Sequence, residues 1–298
     1  VIRAAIDIGT NSVRLLVADV REGILYPLYR EMATTRLGTG VHKTGKLGRE
    51  PMHNTAAAVA GMVAQAQDRG ARNIVVVATS AVRDAVNRKE FLQLCYDVAG
   101  VEVSVLSGPE EARLSYTGAV YGENAKSRFL VIDIGGGSTE MVLGRNGELE
   151  EAISLDIGAV RLSELFPAGT DGTVPHLDTI RDYVIKQLAV TSSWERPGRM
   201  LGVGGTTTSL AAMEQHLPVY DSSRVQGYYL SLATVRAWLT RLAAMTLSER
   251  GQVAGLQSKR ADIIVYGIVI LVCILEYLAM DEIMVSEQDI LEGIIITG

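Results

Sequence analysis

The chain has 298 residues, 48% of them hydrophobic, and a formal net charge of −6. Such a length and apolar content exclude disorder and a single small core, and they point to two domains of ordinary size. The negative balance argues against a general nucleic-acid binder, which needs excess Lys and Arg to displace counterions, so a polyanionic ligand would call for local cations or a metal.

In chain order, strands are expected over Ile2 to Ile8, Val13 to Val20 and roughly Leu25 to Leu37, with Gly9-Thr10-Asn11 at the first reversal and Gly48 ending the run. A helix from about Pro51 to Asp68, a buried strand Asn73 to Thr79, a helical stretch Ser80 to Ala99 and a strand Val101 to Leu106 follow. Glu111 opens a helix after Gly108-Pro109. Strands alternating with helices imply an α/β domain with a mixed or parallel sheet. The same grammar restarts at Phe129, with strands to Gly135, from Ser138 to Gly144 and from Glu148 to Ile157. Helices near Ala159 to Leu165 and Leu177 to Ser193, a strand Met200 to Val203, largely helical chain from Ser231 to Met280, a strand Glu282 to Ser286 and a helix from Gln288 complete the pattern. Within it, Ile263 to Leu275 is uncharged and apolar, but Asp262 and Glu276 cut it short of the ~20 residues a bilayer helix needs. It reads as a buried helix, and no membrane partner is expected.

Cys95 and Cys273 are too far apart to suggest a disulfide framework or a metal-ligand spacing, as in a reducing cytoplasm. Val1 leads straight into a strand pattern, so no signal peptide is read and a cytoplasmic location is expected.

Asp7-Ile-Gly-Thr-Asn-Ser12 laid over Asp133-Ile-Gly-Gly-Gly-Ser138 agrees at four of six positions, with apolar runs on both sides. This internal repeat predicts one unit of strand, glycine turn and strand in each of two related domains. In Asp133-Ile-Gly-Gly-Gly-Ser-Thr-Glu140 a strand delivers a carboxylate to its C-terminal end, and residues without Cβ let successive N–H groups close around a phosphate while the Asp reaches a metal or water. A strand rather than a helix follows these glycines, which excludes the dinucleotide fingerprint. Thr10, Asn11 and Ser12 add side-chain donors to the first copy. A third glycine loop, Gly202-Val-Gly-Gly-Thr-Thr-Thr208, follows a strand and precedes a helix, whose N-terminus can meet an anion or nucleotide.

The two Asp-Gly hairpins and the Gly202 loop resemble the two phosphate motifs and the nucleoside motif of the actin, Hsp70 and sugar-kinase superfamily. Ala78-Thr-Ser-Ala-Val-Arg83, Gly108-Pro-Glu-Glu-Ala-Arg113, the Asp133 to Glu140 motif and Lys259-Arg-Ala-Asp-Ile-Ile264 together resemble the exopolyphosphatase and guanosine pentaphosphate phosphohydrolase family, in the right order over nearly the whole chain. The resemblance implies an α/β fold of two actin-like (ribonuclease H-like) domains facing across an interdomain cleft, domain I over 1–117 plus about 287–298 and domain II over 118–286. It implies catalytic roles for Glu111 as base, with Glu110 as the fallback should the motif slip, and for Asp133 and Glu140. Phosphate contacts would come from Asp7, Gly9, Thr10, Asn11, Ser12, Arg83, Gly135, Gly136, Gly137, Ser138, Thr139, Gly204, Gly205 and Thr206. Metal ligands would be Asp133, Glu140 and Asp7. Arg113, Arg161 and Arg260 are further local cations.

The expected reaction is release of terminal orthophosphate from inorganic polyphosphate or guanosine pentaphosphate, the latter tied to the stringent response. Mg²⁺ is the expected cofactor, with Mn²⁺ and a monovalent cation as alternatives, and a homodimer is one expected assembly. The competing readings are a kinase or ATPase of the same superfold and a non-catalytic alarmone sensor, because fold alone does not determine a reaction. Two departures from the family stand out. The sequence up to Gly298 carries no His-Asp dipeptide of the helical domain found in larger relatives, so an extended channel for long polymers is not expected, and Leu291 stands where an Arg is frequent.

Overall fold

The computed structural model describes residues 1–123, 127–145 and 147–298, which divide into two compact units, Val1–Tyr121 with Gln288–Gly298, and Gly122–Glu287.

The first unit opens with β1 (Ile2–Ile8), β2 (Ser12–Arg21) and β3 (Ile24–Thr34), followed by the short α1 (Val41–Thr44) and by α2 (Arg49–Asp68). Next come β4 (Asn73–Ala78), α3 (Ser80–Asp84), α4 (Arg88–Ala99), β5 (Ser104–Val105) and α5 (Gly108–Ala119). The sheet order is β3-β2-β1-β4-β5, antiparallel across the first three strands and parallel beyond β1. Side chains alternate across its faces. Ala4, Ile6, Ile8, Val13, Leu15 and Val17 pack with α2 and α4 residues such as Val59 and Phe91, whereas Ala5, Leu16 and Ala18 share a cluster with Leu114 of α5 and with the final helix of the sequence.

Two expected elements are shorter than the sequence suggested. The helical stretch from Ser80 breaks at Ala85, which is extended, where Asn87 Oδ1 accepts from the Leu47 N–H at 2.9 Å and ties the chain to a distant loop. The strand expected over Val101 to Leu106 keeps only two residues in the ladder, opposite Val77 and Ala78.

Gly61 is exposed in the middle of α2, with nothing within 4 Å of where a Cβ would lie. Gly61→Ala is therefore expected to raise the unfolding free energy by ~0.5–1 kcal/mol, the helix cost of glycine. A denaturant melt with unchanged slope and a raised midpoint is the check.

The second unit contains β6 (Arg128–Ile134), β7 (Thr139–Arg145), β8 (Glu148–Leu155), α6 (Ala159–Leu165), α7 (Leu177–Leu188), β9 (Arg199–Val203) and α8 (Gly204–Glu214). It continues through α9 (Ser222–Val225), β10 (Tyr229–Ser231), α10 (Leu232–Ala244), α11 (Leu247–Arg250), α12 (Ile264–Tyr277) and β11 (Glu282–Val285), and α13 (Ile290–Thr297) returns to the first unit. Its sheet order is β10-β11-β9-β6-β7-β8. Read outward from β8, it repeats the first sheet: three antiparallel strands, then two parallel ones. The three-residue β10, without a sequence signal of its own, caps the far edge.

Every residue from Ile264 to Leu275 is buried in one continuous core. Among the described residues no helix is long and apolar enough to cross a membrane.

Candidate active site

In the first unit, Asp7 lies opposite Arg14 in the β1–β2 hairpin. The Gly9 N–H donates to the Ser12 carbonyl at 3.0 Å, and a Cβ on Gly9 would stand 3.1 Å from that oxygen. The Thr10 carbonyl accepts from Gly38 N–H at 2.8 Å, and the Asn11 carbonyl from Thr35 and Arg36 at 3.2 and 2.9 Å. A trans peptide sets the next N–H opposite its carbonyl. The N–H groups of Asn11 and Ser12 therefore face away from the 35–38 segment. Gly38 must lack a Cβ because one would overlap the Thr10 side chain.

Asp7 is buried, and both Nε and Nη2 of Arg14 donate to its Oδ2, at 3.1 and 2.7 Å. Its Oδ1 is buried and accepts no hydrogen bond among the described residues. Burial pushes the Asp7 carboxyl above the usual carboxylate range, against the pull of Arg14.

The start of α5 separates two adjacent glutamates. Ser107 and Glu110 form a capping box, with the Glu110 carboxylate accepting from the Ser107 N–H and hydroxyl at 2.8 and 2.6 Å, which holds its carboxyl below the usual range. Glu111 is buried, and Arg83 Nη1 donates to its Oε2 at 2.7 Å and to the Leu106 carbonyl at 3.1 Å. Arg83 Nε stands 4.0 Å from Asp84, so Glu111 is the closer carboxylate. Arg113 is exposed on the same helix.

The second unit repeats the hairpin. Asp133 lies opposite Glu140, so the two carboxylates share a face of the β6–β7 pair. The Gly135 N–H donates to the Ser138 carbonyl at 3.0 Å, with 3.1 Å left for a Cβ, as at Gly9. The Gly135 carbonyl accepts from Ala159 N–H at 3.0 Å, and that of Gly136 from Val160 and Arg161 at 2.8 and 3.0 Å. The Gly137 carbonyl takes Arg161 Nε at 2.7 Å. With all three carbonyls held by α6, the N–H groups of Gly136, Gly137 and Ser138 face away from it. Gly158 permits this approach, because a Cβ there would lie 2.5 Å from the Gly136 carbonyl carbon and 2.6 Å from that of Gly137.

Glu140 is buried and its Oε1 accepts from the Ser154 hydroxyl at 2.7 Å. Thr139 Oγ1 donates to the Ile157 carbonyl at 2.6 Å, which makes its hydroxyl a brace between β7 and the end of β8. The third glycine segment is already helical at Gly204, where φ is 80° and a Cβ would lie 2.7 Å from Asp133 Oδ1. The Arg260 guanidinium lies against Gly205, and Thr206 packs on Gly267 of α12. A helix start with a cation at its second residue and a carboxylate at its first is thus assembled from β6, β9 and the segment before α12.

Among the described residues, no group of three or more His, Cys, Asp or Glu is placed to hold a metal ion within either unit. Asp133 and Glu140 remain a pair of oxygen donors. Mg²⁺ is commonly held by one or two carboxylates together with substrate phosphates, so the pair suits it by chemistry and position.

Residues 16–297 match the Ppx/GppA phosphatase family. The chain belongs to that family. It is 37% identical to Exopolyphosphatase 2 of Mycobacterium tuberculosis, covering 98% of this chain and 96% of the relative. It superposes on the crystal structure of the Aquifex aeolicus Ppx/GppA family member with a TM-score of 0.84 at 30% identity, over 99% of this chain and 96% of the other. With the crystal structure of an exopolyphosphatase from Cytophaga hutchinsonii the TM-score is 0.91 at 26% identity, over 100% and 97% of the two chains. The two α/β units therefore have the actin-like fold of the Ppx/GppA structures.

Several residues that brace these motifs lie outside the motifs themselves. Arg14 follows Asp7 by seven positions, as Glu140 follows Asp133, so extending the repeat by two residues would have exposed it. Ser154, Gly158 and Gly38 carry no such signal, because only the folded chain brings them to the hairpins.

Proposed function

We propose that this member of the Ppx/GppA family is an exopolyphosphatase that releases terminal orthophosphate from inorganic polyphosphate. The observation that carries the reading is the Gly135-Gly136-Gly137 turn. Its carbonyls are all engaged by α6, and the N–H groups of Gly136, Gly137 and Ser138 are turned the other way, next to the hairpin that carries Asp133 and Glu140. Outward N–H groups suit phosphate oxygens, and adjacent carboxylates suit a hard cation. The names of the relatives, exopolyphosphatases, point to the same substrate.

In this reading the N–H groups of Gly136, Gly137 and Ser138 hold the terminal phosphate, and Asn11 and Ser12 offer a matching pair. Asp133 and Glu140 would hold Mg²⁺, with Ser154 orienting Glu140. When bound, the cation supplies charge neutralisation for the phosphate oxygens. Glu111 accepts the proton of the attacking water as its oxygen bonds to the terminal phosphorus. The P–O bond to the next phosphate breaks, and the shortened chain leaves with the electron pair. Arg83 fixes Oε2 of Glu111, and the capping role of Glu110 supports Glu111 as the base.

Guanosine pentaphosphate is the competing substrate, and a kinase would need an acceptor. Phosphate release from polyphosphate, guanosine pentaphosphate and ATP, each with and without Mg²⁺, tests the reading. Mg²⁺-dependent release from polyphosphate is the expected result. Transfer to an acceptor without free phosphate, or tight binding of all three without turnover, would sink it.

A further inference from the structure

We infer that Asp289 is a positioning residue that ties the Asp7 hairpin to the helix carrying Glu111, an inference that rests on the proposed phosphohydrolase reading.

Asp289 makes two kinds of contact in the first unit. Its side chain is buried, and Oδ2 accepts from Arg14 Nη1, the nitrogen of that guanidinium not used on Asp7. Arg14 thus bridges two buried carboxylates, and both of its bonds to Asp7 fall on Oδ2. The orientation of Asp7 therefore follows that of Arg14. Arg14 is itself held from the α13 side.

The main chain of Asp289 makes the second contact. A Cβ on Gly118 of α5 would overlap the Asp289 carbonyl oxygen and lie 2.7 Å from its carbon, and one on Gly293 would lie 2.8 Å from the carbonyl carbon of Leu114. The helices α5 and α13 therefore cross backbone against backbone, through a glycine on each side. Glu111 stands at the start of α5, so one residue touches both the Asp7 brace and the Glu111 helix.

Asp289 also caps α13. Its Oδ1 accepts from the Leu291 N–H at 3.1 Å, and Glu292 Oε2 accepts from its N–H at 2.9 Å. The capping role and the positioning role make different predictions. Asn is as good an N-cap as Asp but cannot pair with a guanidinium as a charge. Asp289→Asn keeps the cap but sets an amide N–H against Arg14 Nη1, so it should lower the melting temperature by less than Asp289→Ala does and lower kcat on polyphosphate about tenfold, with KM changed much less. Asp289→Ala removes cap and charge together, so it should add a loss of stability.

If Asp289 acts through Arg14, then Arg14→Ala and the double variant Arg14→Ala/Asp289→Asn should have the same kcat. Arg14→Lys, which cannot fork between two carboxylates, should reproduce the kcat loss of Asp289→Asn and serves if that variant fails to fold. A crystal structure of Asp289→Asn is expected to show Arg14 released from at least one of its two bonds to Asp7. Additive losses in the double variant, or Arg14 still holding Asp7 through both bonds, would overturn the inference. A wild-type protein inert on polyphosphate would overturn the proposed function instead, and the crystal structure would still decide the positioning role.

Discussion

Glu111→Gln is expected to lower phosphate release from polyphosphate by ~10²-fold or more, the usual scale for a positioned general base, while polyphosphate binding persists. Gln keeps the size of Glu and can still accept from Arg83, whose Nη1 bonds Glu111 Oε2 at 2.7 Å and whose link to the Leu106 carbonyl is independent of Glu111. The local frame of α5 should survive, and the loss should fall on kcat. The neighbouring residue provides the control. Glu110 is exposed and engaged with Ser107, so Glu110→Gln should weaken the cap and leave turnover near the wild-type value. Steady-state kinetics of both variants, with polyphosphate affinity measured by calorimetry, separate the roles. Near-normal turnover in Glu111→Gln would remove side-chain base catalysis from the mechanism and leave cation and loop electrostatics to carry it.

Adding one methyl group at Gly158 should be nearly as damaging. The Cβ of Gly158→Ala would overlap the Gly136 carbonyl oxygen and lie 2.5 and 2.6 Å from the carbonyl carbons of Gly136 and Gly137. These are backbone atoms, which cannot swing aside as a side chain can. Either α6 retreats or the glycine turn shifts, and the bonds from Ala159, Val160 and Arg161 to the turn carbonyls lengthen in both cases. The N–H groups on the other side of those peptides then lose their orientation. A displacement of ~1 Å in such a group costs on the order of 10²-fold in rate. The expected signature is a fall in kcat/KM of that size, from a protein that still folds cooperatively by thermal melting. Unchanged kcat/KM would mean that the turn does not bind the reacting phosphate.

Much of the local architecture was readable from residue order alone. The strand Ile2–Ile8 and the helix Ala159–Leu165 fall where the apolar pattern put them, and the Asp7 and Asp133 repeats fold into hairpins with the same Gly-to-Ser closure. Both kinds of signal are local. Strand alternation, a buried apolar run and a glycine turn depend on neighbours within a few positions. The apolar stretch before Glu276 was likewise readable as a core helix from its length. Errors cluster where a distant partner decides the outcome. Ser80 to Ala99 has helical composition throughout, yet it breaks where Asn87 bonds to Leu47. Gly204 and Gly205 read as loop from their composition but form the first turn of α8, where Asp133 and Arg260 lie too close for a Cβ.

Spacing and composition were enough to show the duplicated strand, glycine turn and strand, and the presence of two α/β units. The tertiary structure alone decided which partner each charged group takes. Arg83 pairs with Glu111 across 28 positions, and Arg14, besides holding Asp7, pairs with Asp289 across 275. Nothing local encodes such pairs. They exist because the sheet, and a helix laid back-to-back on α5, bring remote segments together where burial makes an unpaired charge too costly.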